Sequence, residues 1–417
     1  MRVHRIPRAL AHAARGAALA TALLLVTGLA FPAEDGGEVR TLRDALEKGE
    51  VGLSLRYRAE RVTDEAPAVA DNVGVASTLR TTLSYRTAPL IGFSAFLQFE
   101  DVSNLGYSDA HNDTVNGIVD HPVIADPQGT DVEQAYLRYA LPKIVDVRAG
   151  RIALSLGQER YVGPVGWRQN QQSFDAAEID LRAIPRTTVR LVYIDKVLRI
   201  FGDSRRMHSP LVDAEVRVGR AGVATAYYYD LDYSDLFAAG GSTATTGARW
   251  QNTWDLPGEW SIPYLAEYAR QKDAGDNPSA LDVQYVRWEI GAKRKSLQIT
   301  AGQETLGGDA QGGAFSTPLA TLHKWNGWAD KFLVTPPNGL EDTYLSAGYG
   351  WEGWTGTVVW HDFRSDSRDM NYGSEIDALV EWKAPWKQIF AAKAALYDAS
   401  DFAADTGKYW IYTAWSM

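Results

Sequence analysis

The sequence predicts an all-β protein, an antiparallel up-and-down transmembrane β-barrel of about 18 strands with an open aqueous lumen. Three observations indicate this fold: apolar and polar residues alternate with a period of two, long and short connections alternate along the chain, and aromatic residues are abundant. The chain of 417 residues contains 14 Trp and 20 Tyr. These two residue types collect at membrane–water interfaces, because an apolar ring with a polar group suits that boundary.

The first 30 residues predict a secretory signal peptide. A basic start is followed by an uncharged apolar run at 17–29, which is too short for a transmembrane helix of about 20 residues. Small residues permit cleavage after Ala30 or after Ala33. Residues 31–50 are then expected to form a periplasmic lead-in, with a short helix that Thr41 caps and Gly49 ends. Residues 51–417 are expected to form the barrel.

From residue 51 onward the chain alternates with the period of a β-strand. In the first strand, apolar Leu53, Leu55 and Tyr57 alternate with the polar residues Ser54, Arg56 and Arg58. Such a strand turns one apolar face to lipid and one charged face to water. The pattern recurs, and strand centres are predicted near residues 56, 80, 97, 136, 147, 180, 192, 214, 226, 249, 265, 287, 300, 346, 360, 379, 393 and 412.

The connections differ in length according to whether an odd or an even strand precedes them. Tight turns are predicted after even strands, as at 142–143, 294–295 and 352–353. Long loops are predicted after odd strands, as at 152–174, 199–209 and 305–341. Outer-membrane barrels have short periplasmic turns, long external loops and an even number of strands. The pattern therefore predicts a protein of the Gram-negative outer membrane, with both termini of the barrel in the periplasm.

The loop at 152–174 carries the polar residues that we consider first for solute binding. Hydrogen-bond donors are offered by Arg160, Arg168, Gln169 and Asn170. Arginine can hold a carboxylate through two parallel hydrogen bonds, and Asp175 follows the loop as an available counter-charge. The residues leave open whether this loop enters the lumen or stays in solvent.

The longest loop, at 305–341, is too aromatic for a freely mobile segment. We expect it to fold over the barrel mouth or into it. Trp325 and Trp328 are of the kind that stacks on sugar rings, but a small core of the loop itself is the favoured interpretation of both.

Composition argues against several other classes of function. The chain has no Cys, which excludes disulfides and thiolate metal sites, and its formal net charge of -10 argues against nucleic acid as a partner. The histidines beyond the predicted signal peptide lie outside the Gly-x-Ser-x-Gly and HExxH motifs. We therefore expect no catalytic residues, no metal, no cofactor and no enzymatic activity.

Four stretches resemble the bacterial alginate-export family of outer-membrane porins. They are 78–85 (TLRTTLSY), 134–139 (QAYLRY), 150–175 (GRIALSLGQERYVGPVGWRQNQQSFD) and 322–340 (LHKWNGWADKFLVTPPNGL). The resemblance implies a monomeric barrel of 18 strands in outer-membrane lipid. Carried across by position, it also implies candidate pore-lining arginines, namely Arg138, Arg151, Arg160 and Arg168.

The combined expectation is a passive channel for small hydrophilic solutes that favours organic anions or acidic sugars. Its candidate pore-lining and solute-binding residues are Arg138, Arg151, Arg160, Arg168, Gln169, Asn170 and Asp175. One alternative is a dedicated exporter of an anionic exopolysaccharide such as alginate, although the acidic net charge and the short turn at 384–387 argue against alginate itself. The other alternative is a plugged barrel that acts as a surface receptor or a barrel enzyme.

Overall fold

The computed structural model describes residues 39–66, 70–235, 238–309 and 312–417. The signal peptide predicted at 1–30 lies outside these residues, as does the first part of the predicted lead-in. The described residues begin with helix α1, Leu42–Glu47, and short 3-10 helices follow at Gly157–Glu159, Gly219–Ala221, Ala239–Gly241 and Leu322–Lys324. They also form eighteen strands: β1 (Glu50–Asp64), β2 (Val73–Arg86), β3 (Phe93–Asn104), β4 (Gly129–Leu141), β5 (Val145–Ile152), β6 (Ser173–Leu181), β7 (Thr187–Leu198), β8 (Ser204–Arg217), β9 (Val223–Leu231), β10 (Thr243–Leu256), β11 (Trp260–Asp273), β12 (Asp282–Arg294), β13 (Leu297–Leu306), β14 (Leu340–Trp351), β15 (Trp354–Arg364), β16 (Asn371–Lys383), β17 (Ile389–Ala399) and β18 (Thr406–Ser416).

The strands form one antiparallel sheet that closes on itself. Each strand pairs with its neighbours in chain order, and β1 also pairs with β18 from Ser54 opposite Ser416 to Asp64 opposite Thr406. Closure leaves no strand edge, so the wall satisfies its own backbone hydrogen bonds. The predicted up-and-down barrel of 18 strands is confirmed, and each predicted strand centre lies within its strand. Within the described ranges, no helix has the length and apolarity to cross a membrane.

The two faces of the wall differ as the period-two alternation requires. On β15, Val358 and Trp360 are exposed on the outer face, whereas His361 and Phe363 are buried on the lumen face. Similar exposed apolar residues lie on the outer face around the barrel, including Leu83, Leu137, Val212, Tyr268, Ile290, Leu345, Ile376, Leu396 and Ile411. An apolar belt of this kind is the surface that a lipid bilayer covers.

Helix α1 lies at the end of the barrel that has the tight turns. Asp44 N donates to Thr41 Oγ1 at 3.1 Å, so the predicted cap is confirmed. Ala88 N donates to Ala45 O at 2.9 Å, which fixes the helix to the connection between β2 and β3. The turns at this end include 142–144, 295–296 and 352–353, and the long connections 105–128, 153–172 and 307–339 lie at the other end.

The connection between β7 and β8 is shorter than the sequence predicts. The chain between β7 and β8 spans only 199–203, although 199–209 was expected. The reason is that β8 begins at Ser204 and pairs there with Leu198 of β7. The register of this pairing shifts at a β-bulge between Ile194 and Lys196.

Adjacent positions on β15 test the assignment of the two faces. Val358→Arg should lower the free energy of unfolding by about 2–4 kcal/mol, because the charge would enter the apolar belt. Val359→Arg should cost much less, because this residue faces the lumen opposite Asp377. Guanidinium-induced unfolding of the protein in lipid vesicles measures both costs. Equal costs would contradict the assignment.

Candidate functional site

Three long connections fold back into the lumen. They are the β3–β4 loop (105–128), the β5–β6 loop (153–172) and the β13–β14 loop (307–339), and each contacts residues on the lumen face of the wall. Their apolar side chains join wall residues in one buried cluster that includes Tyr161, Phe315, Leu319 and Phe332. The sequence left open whether 152–174 and 305–341 enter the lumen, and the structure has both inside.

The β5–β6 and β13–β14 loops pack directly against each other. Gly163 N donates to Leu319 O at 2.8 Å, and a Cβ on Gly163 would lie 2.2 Å from Thr321 Oγ1. The backbones can come this close only because Gly163 has no side chain. The tip of the β5–β6 loop contains three successive residues in the left-handed conformation, Gly157, Gln158 and Glu159.

Arg160 and Arg168 tie the β5–β6 loop to the wall and to the β13–β14 loop. Arg160 is buried, and its Nε lies 2.8 Å from Glu304 Oε1 on β13. Arg168 Nη2 lies 2.8 Å from Asp330 Oδ2 in the β13–β14 loop. Both guanidinium groups are therefore inside the barrel and are engaged by protein carboxylates. A buried charge needs such a partner, since an unpaired one is costly in low-dielectric surroundings.

Gln169 and Asn170 also act as links between the β5–β6 loop and its surroundings. Arg56 Nε on β1 donates to Gln169 Oε1 at 2.9 Å, and Gln169 Nε2 donates to Thr78 Oγ1 on β2 at 2.8 Å. Asn170 Nδ2 donates to Pro127 O of the β3–β4 loop at 2.7 Å. These two amides thus hold the loop against the wall and against its neighbour.

Arg138, Arg151 and Asp175 belong to the wall, and they lie on different faces of it. Arg138 is on the lumen face near the tight turns and donates from Nε to Asp146 Oδ1 at 2.9 Å. Arg151 Nε donates to Asp175 Oδ1 at 3.0 Å. Asp175 follows Phe174, which is fully buried in the lumen cluster, so alternation turns the Arg151–Asp175 pair to the outer face.

The apex of the β13–β14 loop is held by contacts within the loop and with two strands of the wall. His323 Nδ1 lies 2.7 Å from Asp330 Oδ1, and Lys408 Nζ of β18 donates to Asp330 Oδ2 at 2.8 Å. Ala329 N donates to Glu375 Oε1 of β16 at 2.7 Å. Together these bonds fix the apex to the wall at β16 and β18.

Trp325 and Trp328 connect the β13–β14 loop to cations of the wall. Arg287 Cζ lies 4.6 Å from the ring centroid of Trp325, and Lys393 Nζ lies 3.8 Å from that of Trp328. Such cation–π contacts gain strength where water is excluded. The expected core of the loop itself is found in part, because Trp328 packs against a buried cluster that the loop shares with the wall.

Burial changes the pKa of the titratable groups in the loop apex. It lowers the pKa of His323 to about 3, so the imidazole is neutral. Burial alone would raise the pKa of Asp330, but His323, Lys408 and Arg168 hold that pKa well below its usual range. Asp330 is therefore charged at neutral pH and anchors the loop.

Two cavities lie between the loops and the tight turns. The first cavity, of about 250 Å³, is lined by residues that include Arg190, Asp213, Glu215, Thr225 and Arg249. The second cavity, of about 420 Å³, is lined mainly by polar residues such as Gln251, Asn252, Gln298 and Thr300. Gln158 lines both, and its Nε2 donates to Gln251 Oε1 at 3.2 Å. The side chain of Gln158 therefore separates the two cavities.

Arg249 is the distinctive group of the first cavity. It is 8% exposed, and its Nη1 lies 3.8 Å from Glu267 Oε1 on the adjacent strand. Within the part of the chain that the structure describes, its Nε and Nη1 have no hydrogen-bond partner. Arg249 is thus a buried, incompletely paired cation among the residues that line the cavity.

The candidate residues chosen from the sequence omit Arg249 and Gln158. Alternation in β10 marks Arg249 as lumen-facing, so part of the signal is present in the sequence. Which lumen charges remain incompletely paired depends on the register between strands and on where the loops bind. Neither follows from alternation alone.

Known proteins share parts of this sequence pattern and this architecture. Residues 48–193 match the model of a family described as alginate export. The resemblance to the alginate-export family is confirmed over this part of the chain. A comparison with curated protein sequences gives no match.

Several solved structures are similar over most of the chain. OccK9 (OpdG) from Pseudomonas aeruginosa is 15% identical with a TM-score of 0.71, covering 89% of this chain and 99% of that one. OpdK from the same organism, solved with vanillate, is 14% identical with a TM-score of 0.69 and the same coverage. OccAB4 from Acinetobacter baumannii is 14% identical with a TM-score of 0.66, covering 88% and 98%. The fold is that of an outer-membrane porin.

The Arg160–Glu304 ion pair tests how the β5–β6 loop is held. Arg160→Met should lower the free energy of unfolding by about 3–5 kcal/mol, because Glu304 would remain buried without its counter-charge. Combining it with Glu304→Gln should recover most of the loss. Arg151→Met is the matched control on the outer face and should cost at most about 1 kcal/mol. Equal costs for the two single variants, measured by denaturant unfolding in vesicles, would contradict this account.

The lowered pKa of His323 predicts a pH dependence of the loop apex. An unfolded His has a pKa of about 6.5, and the folded value is about 3. The contribution of His323 to loop stability is therefore complete above pH 6.5 and declines as the pH falls toward 3. Amide hydrogen exchange of residues 322–331, corrected for intrinsic rates, should reveal faster opening at pH 5.0 than at pH 7.5.

Two variants identify the group responsible for that pH dependence. His323→Gln should flatten the pH dependence of amide hydrogen exchange between pH 7.5 and 5.0, because the neutral amide does not titrate. His121→Gln, in the β3–β4 loop, is the control and should leave it unchanged. An equally steep dependence in His323→Gln would exclude His323 as the cause.

Proposed function

We propose that the protein is a passive outer-membrane porin that admits small hydrophilic solutes and favours organic anions. Arg249 carries this proposal, because it lines a cavity within the lumen and its guanidinium group is incompletely paired. A carboxylate is a strong acceptor for such a group, since two parallel charge-assisted hydrogen bonds can form. Arg160 and Arg168 have a different role in the proposal, because they already hold protein carboxylates and fix the loops.

Neutral polar groups in the first cavity support passage of a hydrated solute. Ser155, Thr188 and Thr225 line it beside Arg249. Their hydroxyl and carbonyl groups can replace part of a solute's hydration shell as it moves through the lumen. Arg138 lies on the lumen face near the tight turns, and we retain it as a proposed lining residue of that mouth.

The loops favour small solutes over a polymer. Buried ion pairs hold three loops inside the barrel, and the hydrogen bond from Gln158 to Gln251 crosses the space between the two cavities. An extended polysaccharide would require several of these contacts to break together. This observation supports a small-solute channel over a dedicated exopolysaccharide exporter.

The similar solved structures add independent support. OpdK was solved with vanillate, which is a small carboxylate. The proposal accordingly assigns this chain a transport role in outer-membrane lipid, as a monomer that needs no cofactor, metal or nucleic acid and has no catalytic activity.

Planar-bilayer recordings test the proposed function. The purified protein should conduct ions and should prefer anions in a KCl gradient. Arg249→Gln should lower the anion-to-cation permeability ratio about twofold to fivefold, the range expected for one partly screened charge. Arg61→Gln, which removes an exposed charge from the outer face of β1, should leave the ratio unchanged. A protein that forms no conducting pore would refute the proposed function, and an unchanged ratio in Arg249→Gln would refute the role of Arg249.

A further inference from the structure

The cavity that contains Arg249 also presents an acid without a counter-charge. Glu215 of β8 is half-buried and lines the same cavity. Its direct neighbours across the sheet are Thr188 and Thr225, which are uncharged. Within the described residues, no hydrogen bond or ion pair engages its carboxylate. The cavity is therefore lined by an anionic and a cationic side chain, Glu215 and Arg249, and both are incompletely paired.

The register of the sheet fixes the spacing between Glu215 and Arg249. Glu215 lies opposite Thr225, and Thr225 lies opposite Arg249, so the three residues are at one level on β8, β9 and β10. Directly opposite Cα atoms in antiparallel strands are about 4.5–5.5 Å apart, which separates the Cα atoms of Glu215 and Arg249 by about 10 Å. The short side chain of Thr225 leaves a gap between the carboxylate and the guanidinium group.

The other charges around this gap are largely matched. Asp180 is bound by two arginines, with Arg182 Nη2 at 2.7 Å and Arg190 Nε at 2.9 Å. Asp213 lies directly opposite Arg190 and also accepts from the hydroxyl of Tyr229 at 3.4 Å. The gap thus has a positive side at Arg249 and a negative side at Glu215.

We propose that this gap binds zwitterionic solutes, namely small amino acids that carry both a carboxylate and an ammonium group. The carboxylate binds Arg249, and the ammonium group binds Glu215. This inference rests on the proposed function, because its carboxylate half is the anion site described above. It goes further by naming a second recognition element with the opposite charge.

The charge pattern favours a zwitterion over a simple ion. A simple anion would pair with Arg249 but would leave Glu215 uncompensated nearby. A simple cation would pair with Glu215 and leave Arg249 incompletely paired. A solute with both charges satisfies both sides, as charged groups in a confined site require. The cavity of about 250 Å³ suits a molecule of this size.

The test compares 4-aminobutyrate with butyrate, which has the same carbon skeleton without the ammonium group. Each is added to the full-length protein conducting KCl in a planar bilayer, and the concentration for half-block of the current is measured. Wild-type protein should be blocked by 4-aminobutyrate at a concentration about twofold to fivefold lower than by butyrate. Glu215→Gln should abolish this difference, and Arg249→Gln should weaken the block by both solutes.

A matched control variant and the wild-type recordings decide whether the zwitterion site exists. Glu381→Gln removes a lumen-facing acid on β16 that accepts from Tyr412 and does not line the cavity, so it should preserve the difference. Equal block by the two solutes in wild type, or a difference that survives in Glu215→Gln, would overturn the zwitterion site alone. Absence of block by either solute in wild type would overturn the carboxylate site and with it the proposed anion preference.

Discussion

Compensation of buried charge is the constraint on which the rest of this structure depends. The period-two alternation turns charged side chains such as Arg58 and Glu304 into the barrel, where the loops exclude water. An isolated charge in such a place is costly, so it needs a partner of opposite sign. The β3–β4 loop supplies Asp126 to Arg58, and the β5–β6 loop supplies Arg160 to Glu304. The loops fold inward because the wall and the loops complete each other's charges.

The same pairing explains why a strained loop tip persists. Gln158 and Glu159 adopt the left-handed conformation, which costs roughly 1–2 kcal/mol for each such residue. Arg287 Nη1 donates to Gln158 Oε1 and Lys324 Nζ donates to its backbone oxygen, both at 3.0 Å. These charge-assisted bonds offset the strain and hold the tip across the space between the two cavities. Where the wall offers no such partner, as between Glu215 and Arg249, a cavity remains.

The fold could be predicted because strand alternation and turn length depend on residues that are neighbours in the sequence. The site could not be predicted in the same way, because it depends on contacts between residues that are distant in the sequence. Alternation, turn length and loop parity are read from neighbouring residues, and they gave the strands correctly. Arg151 and Arg160 look alike in the sequence, since both are arginines near the same loop. Yet Arg151 pairs on the outer face and Arg160 is buried inside. A bulge between Asp175 and Ala176 further shifts the pairing of β6 with β7, which alternation alone does not reveal.

Local pairing, more than net charge, sets what the lumen can select. The chain carries a formal net charge of -10, which by itself would disfavour a solute with a carboxylate. Acids such as Glu304 and Asp330 are already neutralised by loop and wall cations, and exposed acids are screened beyond about 10 Å at 0.1 M salt. The field in the first cavity is therefore dominated by its own lining. Across Thr225, the incompletely paired guanidinium group of Arg249 faces the carboxylate of Glu215. Opposite charges on the two sides of one cavity can distinguish a zwitterion from an ion of either sign.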